Sequence, residues 1–349
     1  MFSELKVKEV KRETADTVSI AFELSENLKS EFKYVSGQYI TLKTLVAGED
    51  VRRAYSLCSA PFENDFRIGV KKVEGGKMST FLNEKLKVGD NIEVMSPSGN
   101  FTIDDSERNI VAFAAGSGIT PILSMVKNTL KAGKEFTLFY GNQTAEKTIF
   151  KKELDELSNE YPEIFNLHYI YTRESIGNPL YEGRIDKEKT INILKGESTL
   201  LNADGFYMCG PEELIANVSS ALEGEGVDKG KIHFELFTAP TVDIDETPKQ
   251  VLNFDGESQV TVIMDGDEFE FPLRADGDFI LDVAMENGAD VPFSCKGAVC
   301  CTCKAQVVEG KATMDLNYSL SDEEVEDGFI LTCQARPASE TLVVDYDVT

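Results

Sequence analysis

The chain has 349 residues, enough for roughly two to three domains, and its 42% hydrophobic content excludes a disordered tail. Its 61 acidic against 35 basic residues leave a net charge of −26, which argues against nucleic acid and anionic membrane as partners. Only two histidines occur, His168 and His233, neither in an E-x-x-H or C-x-H setting, so any oxygen-activating iron site belongs on another protein.

The N-terminus, Met1 to Lys6, alternates charged and apolar residues without an apolar signal core, and a cytoplasmic location is expected. Short alternating runs at 18–24, 39–43, 66–73 and 91–95, broken by glycine-bearing turns, predict an antiparallel barrel or sandwich over residues 1–104. Within it lie Arg53-Ala54-Tyr55-Ser56 and Gly76-Lys77-Met78-Ser79. A flavin needs an aromatic face, a hydroxyl near its N5 and donors for its phosphates. Tyr55, Ser56 and Arg53 offer these in one strand. A helix opening at Gly76 would turn N–H groups, and Ser79, toward a pyrophosphate. Each motif alone is also ordinary sheet surface or an ordinary helix start.

The uncharged run 109–126 has about the length of a membrane span, but Gly116, Gly118 and Pro121 interrupt it, so it reads as a strand turning into a helix. Strands at 110–115, 136–140, 167–171 and 205–209 then alternate with helices at 120–131, 145–158, 187–195 and 211–222. This predicts an open parallel sheet over residues 105–238. The turn Gly116-Ser117-Gly118-Ile119-Thr120-Pro121 lets a dinucleotide approach the backbone and a helix N-terminus, although Pro121 stands near the usual third glycine. Cys209-Gly210-Pro211 ends another parallel strand. Both turns would share one crevice, with Cys209 near a nicotinamide ring and Gly210 clearing space for it.

A polar, proline-bearing stretch at 239–257 reads as a linker. Beyond it, runs flanking Asp265-Gly266 signal a hairpin, and 279–287 has helical spacing, so residues 258–349 are expected to form a small α+β domain. Residues 239–349 hold 24 acidic and 6 basic residues, which places −18 of the charge there. Cys58 and Cys209 stand alone, whereas Cys295, Cys300, Cys301, Cys303 and Cys333 belong to this acidic part. Cys295, Cys300, Cys303 and Cys333 follow the C-x4-C-x2-C…C spacing that supplies four thiolates to two irons. Small residues Gly297, Ala298 and Thr302 let the loop curl with its amides inward. A structural zinc site is the alternative, but zinc favours paired C-x2-C knuckles. Cys301 is expected to be a spare buried thiol, with a ligand swap left open by spacing alone.

Pro292-Phe293-Ser294-Cys295 and Leu331-Thr332-Cys333-Gln334-Ala335, together with this spacing, closely resemble plant-type ferredoxins and so imply a β-grasp fold. The first two thirds resemble the ferredoxin-NADP reductase family, with an antiparallel β-barrel flavin domain and an α/β nicotinamide domain. The resemblance implies FAD rather than FMN at Gly76 to Ser79, with Val70, Lys71, Lys72, Val73 and Gly75 flanking it. It also implies Thr120 beside the flavin, Cys209 at the site of hydride transfer, and Arg173 of Thr172-Arg173-Glu174 on the adenosine 2′-phosphate. NADPH is thus the expected donor, with NADH the alternative. Glu235 and Phe237 are expected to reach the flavin, plain strand core being the other reading of Phe237. The catalytic set is Cys209, Ser56, Thr120 and Glu235. The order flavin, nicotinamide, 2Fe-2S resembles the reductases of oxygenase systems, the phenylacetyl-coenzyme A epoxidase group among them, and implies an oxygenase component as electron acceptor. Two alternatives are an FMN-containing phthalate-type reductase serving a Rieske oxygenase and a redox-sensing protein without sustained turnover.

Overall fold

The computed structural model describes residues 2–239 and 254–348; residues 240–253, most of the expected linker, lie outside the described residues. The chain divides into two compact units, one of residues 2–97 and 101–237, the other of residues from 238 onward with 98–100.

The larger unit holds two sheets. Strands β1 (Phe2–Thr14), β2 (Thr17–Glu23), β3 (Tyr39–Val46), β4 (Glu49–Ser56), β5 (Phe66–Lys71) and β6 (Asn91–Met95) form a sheet in the order β4-β3-β6-β1-β2-β5. Its pairs are antiparallel, and an antiparallel bridge between Leu57 and Ile68 joins the two outer strands and closes a barrel. Period-two burial drives this: Leu5 with Val7, Ile40 with Leu42, and Ile68 with Val70 fill the interior. Helix α1 (Lys77–Glu84) adds Met78 and Leu82 to the same core. Val73, expected in a strand, lies beyond the end of β5 and is exposed, because the chain turns there with Gly76 N–H donating to Val73 O.

The second sheet is parallel, ordered β11-β10-β7-β8-β9, from β7 (Asn109–Ala115), β8 (Glu135–Asn142), β9 (Phe165–Tyr171), β10 (Gly205–Cys209) and β11 (Ile232–Glu235). Helices α2 (Ile119–Lys131), α3 (Lys151–Glu160), α4 (Lys187–Gly196) and α5 (Glu212–Gly224) make the crossovers. The uncharged run is accounted for: β7 is the central strand and α2 is buried along most of its length. Among the described residues no helix is long and apolar enough to cross a membrane. The single helix expected over 145–158 is broken into a 3₁₀ turn, Ala145–Lys147, and α3, with Phe150 between them at φ 57°. Its ring is buried against Gly69, and that inward turn takes the backbone out of the helix.

The smaller unit holds β12 (Glu257–Met264), β13 (Asp267–Arg274), α6 (Ile280–Glu286), β14 (Lys304–Met314), α7 (Asp322–Glu326), β15 (Phe329–Leu331) and β16 (Ala335–Asp345). Its mixed sheet runs β13-β12-β16-β14-β15, with β12 and β16 parallel at the centre. Ile280, Leu281 and Ala284 of α6 pack with Val260, Val262, Leu342 and Val344, giving a β-grasp. Asp265 and Gly266, both at positive φ, make the hairpin turn.

Candidate functional site

In the parallel sheet the strand order reverses between β7 and β10, so a crevice opens at their carboxyl ends. The two turns expected to share it are in backbone contact. A methyl on Gly118 would fall 2.0 Å from Cys209 O and 2.7 Å from Gly210 N, and one on Gly210 would fall 3.2 Å from Ala115 N. Gly116 sits at φ +55°, held by the buried Tyr140 hydroxyl, which donates to its carbonyl at 2.9 Å. A methyl on Gly116 would meet nothing nearer than Lys71 Nζ at 4.0 Å, so the glycine turn faces open space, as a nucleotide requires.

Cys209 pairs with Glu235 in the register of β10 and β11, and Ser56 at the end of β4 donates to Glu235 Oε2 at 3.2 Å. Burial pushes the Glu235 carboxyl up to about 8, against the Ser56 hydrogen bond. Burial, reinforced by Glu235, also pushes the Cys209 thiol well up, so both groups keep their protons near neutral pH. Thr120 donates to Ser117 O at 3.0 Å and sets its methyl where Gly69 of β5 leaves room. The structure thus draws Ser56, Glu235, Cys209 and Thr120 from barrel and sheet to one junction.

The other expected flavin residues separate. Ser56 alternates with Tyr55 along β4, so the two do not share a face; Ser56 is buried on Glu235 while Tyr55 is half-buried against the barrel core. Arg53 is exposed, and Val70 is part of the core. The Ser79 hydroxyl is used inside its own turn, accepting from Val73 N–H at 3.1 Å and donating to Gly76 O at 3.4 Å. The hydroxyl of Ser79 is thus engaged within its turn, while the first-turn N–H groups of α1, that of Ser79 among them, are not used by the helix itself. Gly75, at φ +71°, lies in open space beside them. Lys77 is paired with Glu49, and Pro211 caps α5. Arg173 is exposed just past β9, its N–H donating to Gln143 O at 2.9 Å, and Phe237 is 42% exposed rather than strand core. Lys127, Tyr140 and Phe150 belong to no recognisable motif. A lysine amid the apolar residues of α2 was the one available signal.

In the cysteine loop, Lys296 and Ala298 adopt left-handed φ of 50° and 61°, which turns the intervening amides inward. Cys295 Sγ accepts the Gly297 N–H at 3.3 Å. Hydrogen bonding from the Cys300 thiol, and then from the N–H groups of Gly297, Val299 and Cys300, draws Cys295 down to about 6 against its burial. Cys333 is likewise drawn down by Cys303 and by the Ala298 N–H. The thiols therefore pair as Cys295 with Cys300 and Cys303 with Cys333. Zinc favours paired C-x2-C knuckles around one ion, which this loop does not have. Two thiol pairs with inward amides, and the buried Ser294 hydroxyl with no partner among the described residues, fit a two-iron cluster. Cys301 instead donates to Ser319 O at 3.3 Å and packs in the domain core.

Residues 4–103 match the oxidoreductase FAD-binding domain, 113–220 the oxidoreductase NAD-binding domain and 262–338 the 2Fe-2S iron-sulfur cluster binding domain. A component of the 1,2-phenylacetyl-CoA epoxidase of Escherichia coli (strain K12) is 37% identical over 352 residues, covering 99% of this chain and 98% of that protein. The chain belongs to the ferredoxin-NADP reductase superfamily, in the branch with a C-terminal 2Fe-2S domain. This reductase is also 33% identical to the ferredoxin reductase component of a 3-ketosteroid-9-alpha-monooxygenase of Rhodococcus rhodochrous, over 98% of its own length and 96% of that protein. Phthalate dioxygenase reductase shares its architecture at a TM-score of 0.60 and 26% identity, over 99% of this chain and 98% of that one. The match to an FAD-binding domain favours FAD over FMN in this reductase.

Proposed function

We propose that this reductase takes hydride from NADPH at the junction around Glu235 and delivers electrons singly to an oxygenase component, one of the phenylacetyl-coenzyme A epoxidase type. The hydrogen bond from Ser56 of the barrel to Glu235 of the parallel sheet, with Cys209 beside it, is the observation that carries the reading. When bound, FAD accepts the hydride pair from the nicotinamide and a 2Fe-2S cluster carries electrons onward one at a time.

The chain's own part is placement. Gly118 and Gly210 bring two main-chain turns together, so a nicotinamide would lie on backbone rather than on side chains. Cys209 and Glu235 are neutral neighbours that exclude water without adding charge. Arg53 and the N-terminus of α1 would hold the flavin phosphates, and the exposed Arg173 a 2′-phosphate. Cys295, Cys300, Cys303 and Cys333 would ligate the irons. None of the seven cysteines is joined in a disulfide, in keeping with a reducing, cytoplasmic setting.

The holoprotein should contain about two irons and two sulfides per FAD. Replacing Cys303→Ser should abolish NADPH-driven reduction of cytochrome c while sparing direct reduction of ferricyanide. Survival of both activities would refute the route, and an absence of NADPH turnover would point to a redox sensor.

A further inference from the structure

Helix α2 carries Thr120, Ser124 and Lys127 at positions i, i+4 and i+7, a polar stripe on one face, and the stripe docks on the barrel. Thr120 meets Gly69 of β5, and Ser124 Oγ donates to Ser59 O at 2.6 Å. The Lys127 ammonium, only 9% exposed, reaches three acceptors: Cys58 O at 3.4 Å, Glu63 Oε2 at 3.1 Å and Glu153 Oε1 at 2.6 Å. Two of these acceptors belong to the β4–β5 connection of the barrel, and the third to α3. Three N–H donors thus meet acceptors from two further chain segments.

A buried ion pair adds little net stability, because desolvation offsets much of the attraction; a demanding set of acceptors fixes register instead. What α2 can set by its register is at its own N-terminus, where the Gly116–Gly118 turn rests on Cys209. The segment that anchors Lys127 runs on directly from Tyr55 and Ser56. A slip of α2 along the barrel would therefore change the separation of the nicotinamide turn from the flavin strand, and such slips strongly slow a transfer step.

We propose that Lys127 is a positioning residue for hydride transfer: it clamps α2 to the β4–β5 connection and so holds the nicotinamide turn in register with the flavin strand. This rests on the reading that the junction transfers hydride from NADPH to flavin. The test uses the FAD- and cluster-loaded full chain, with flavin reduction followed by stopped flow across a range of NADPH concentrations. Absorbance of the nicotinamide–flavin charge-transfer complex supplies a readout that does not depend on turnover. Lys127→Met should lower the limiting reduction rate at least tenfold, change the apparent Kd for NADPH less than twofold and weaken the charge-transfer band; Lys127→Arg should recover part of both. Glu63→Gln, which loosens the barrel side alone, should slow reduction several-fold, whereas Glu153→Gln, which loosens the contact with α3 and leaves both barrel contacts in place, should change it less than twofold. If Lys127→Met does not fold, the Glu63 and Glu153 pair decides. An unchanged limiting rate in Lys127→Met, or equal effects in the two glutamine variants, would overturn the proposal. Failure of the unaltered protein to reduce its flavin with NADPH would instead overturn the reading beneath it.

Discussion

Glu235 is a carboxyl held neutral where barrel and parallel sheet meet, and its protonation has a consequence for stability. Its pKa is raised by burial to about 8, whereas an unfolded glutamate titrates near ~4.3. Below the lower value both states are protonated and nothing is lost. Between the two values the unfolded chain releases a proton that the folded one retains, so this contribution to stability falls as pH rises and levels off above about pH 8. His168 and His233 oppose it: burial depresses both, and their contribution grows as pH rises through the ordinary histidine range. The comparison that isolates the carboxyl is therefore with Glu235→Gln, whose amide oxygen still accepts from Ser56. From pH 5 to pH 8 the variant should gain on the unaltered protein by on the order of a few kcal/mol, read from urea unfolding midpoints. A gap constant with pH would show that Glu235 ionises normally.

At the scale of elements, one hydroxyl adds to the main-chain pairing at the end of β15. Thr332 Oγ1 donates to Cys303 O at 3.0 Å and lies 2.6 Å from the buried Tyr346 hydroxyl, tying the strand that delivers Cys333 to the loop that delivers Cys303. Thr332→Val keeps the shape and the main-chain N–H bond to Cys303 O at 3.2 Å but removes the hydroxyl facing the buried Tyr346 hydroxyl, which should cost about 1–3 kcal/mol in the cluster-bearing unit. Cluster absorbance should then be lost at lower urea than in the unaltered protein while the flavin remains bound; loss at the same urea would mean that the strand is held by packing and main-chain pairing alone. The cysteine loop was legible because ligand spacing is dictated by chemistry, and the glycine turns because close backbone approach admits nothing larger. Ile40 with Leu42 and Ile68 with Val70 announced their strands by period. β1 did not, since outside Leu5 and Val7 its thirteen residues are mostly charged and exposed on one face. β14 escaped because its register shifts around Glu309 and Gly310, where a methyl on Gly310 would fall 2.1 Å from Thr341 O. Neither the break at Phe150 nor the Ser56 contact with Glu235 had a local signal. Both are set by residues far away in sequence.

For the whole molecule, the unequal distribution of charge predicts how acceptors are met. Residues 239–349 carry a net −18, and within the described part four of the basic residues already sit in ion pairs: Arg274 with Asp276, Lys296 with Asp282, Lys304 with Glu324 and Arg336 with Asp315. Within that described part the carboxylates outnumber their cationic partners, and Asp322, Glu323 and Glu326 of α7 face solvent. An uncompensated field of this kind raises encounter rates with a basic partner and is screened over about 10 Å at 0.1 M salt. Reduction of cytochrome c, a basic acceptor, should fall about tenfold between roughly 20 and 200 mM sodium chloride. Ferricyanide, an anion, should show no such fall and a slight rise, because salt then screens a repulsion. Exchanging Glu323 and Glu326 for glutamine should flatten the first dependence and leave iron content and ferricyanide reduction unchanged. Equal salt dependence for the two acceptors would show that the acid serves solubility and not encounter.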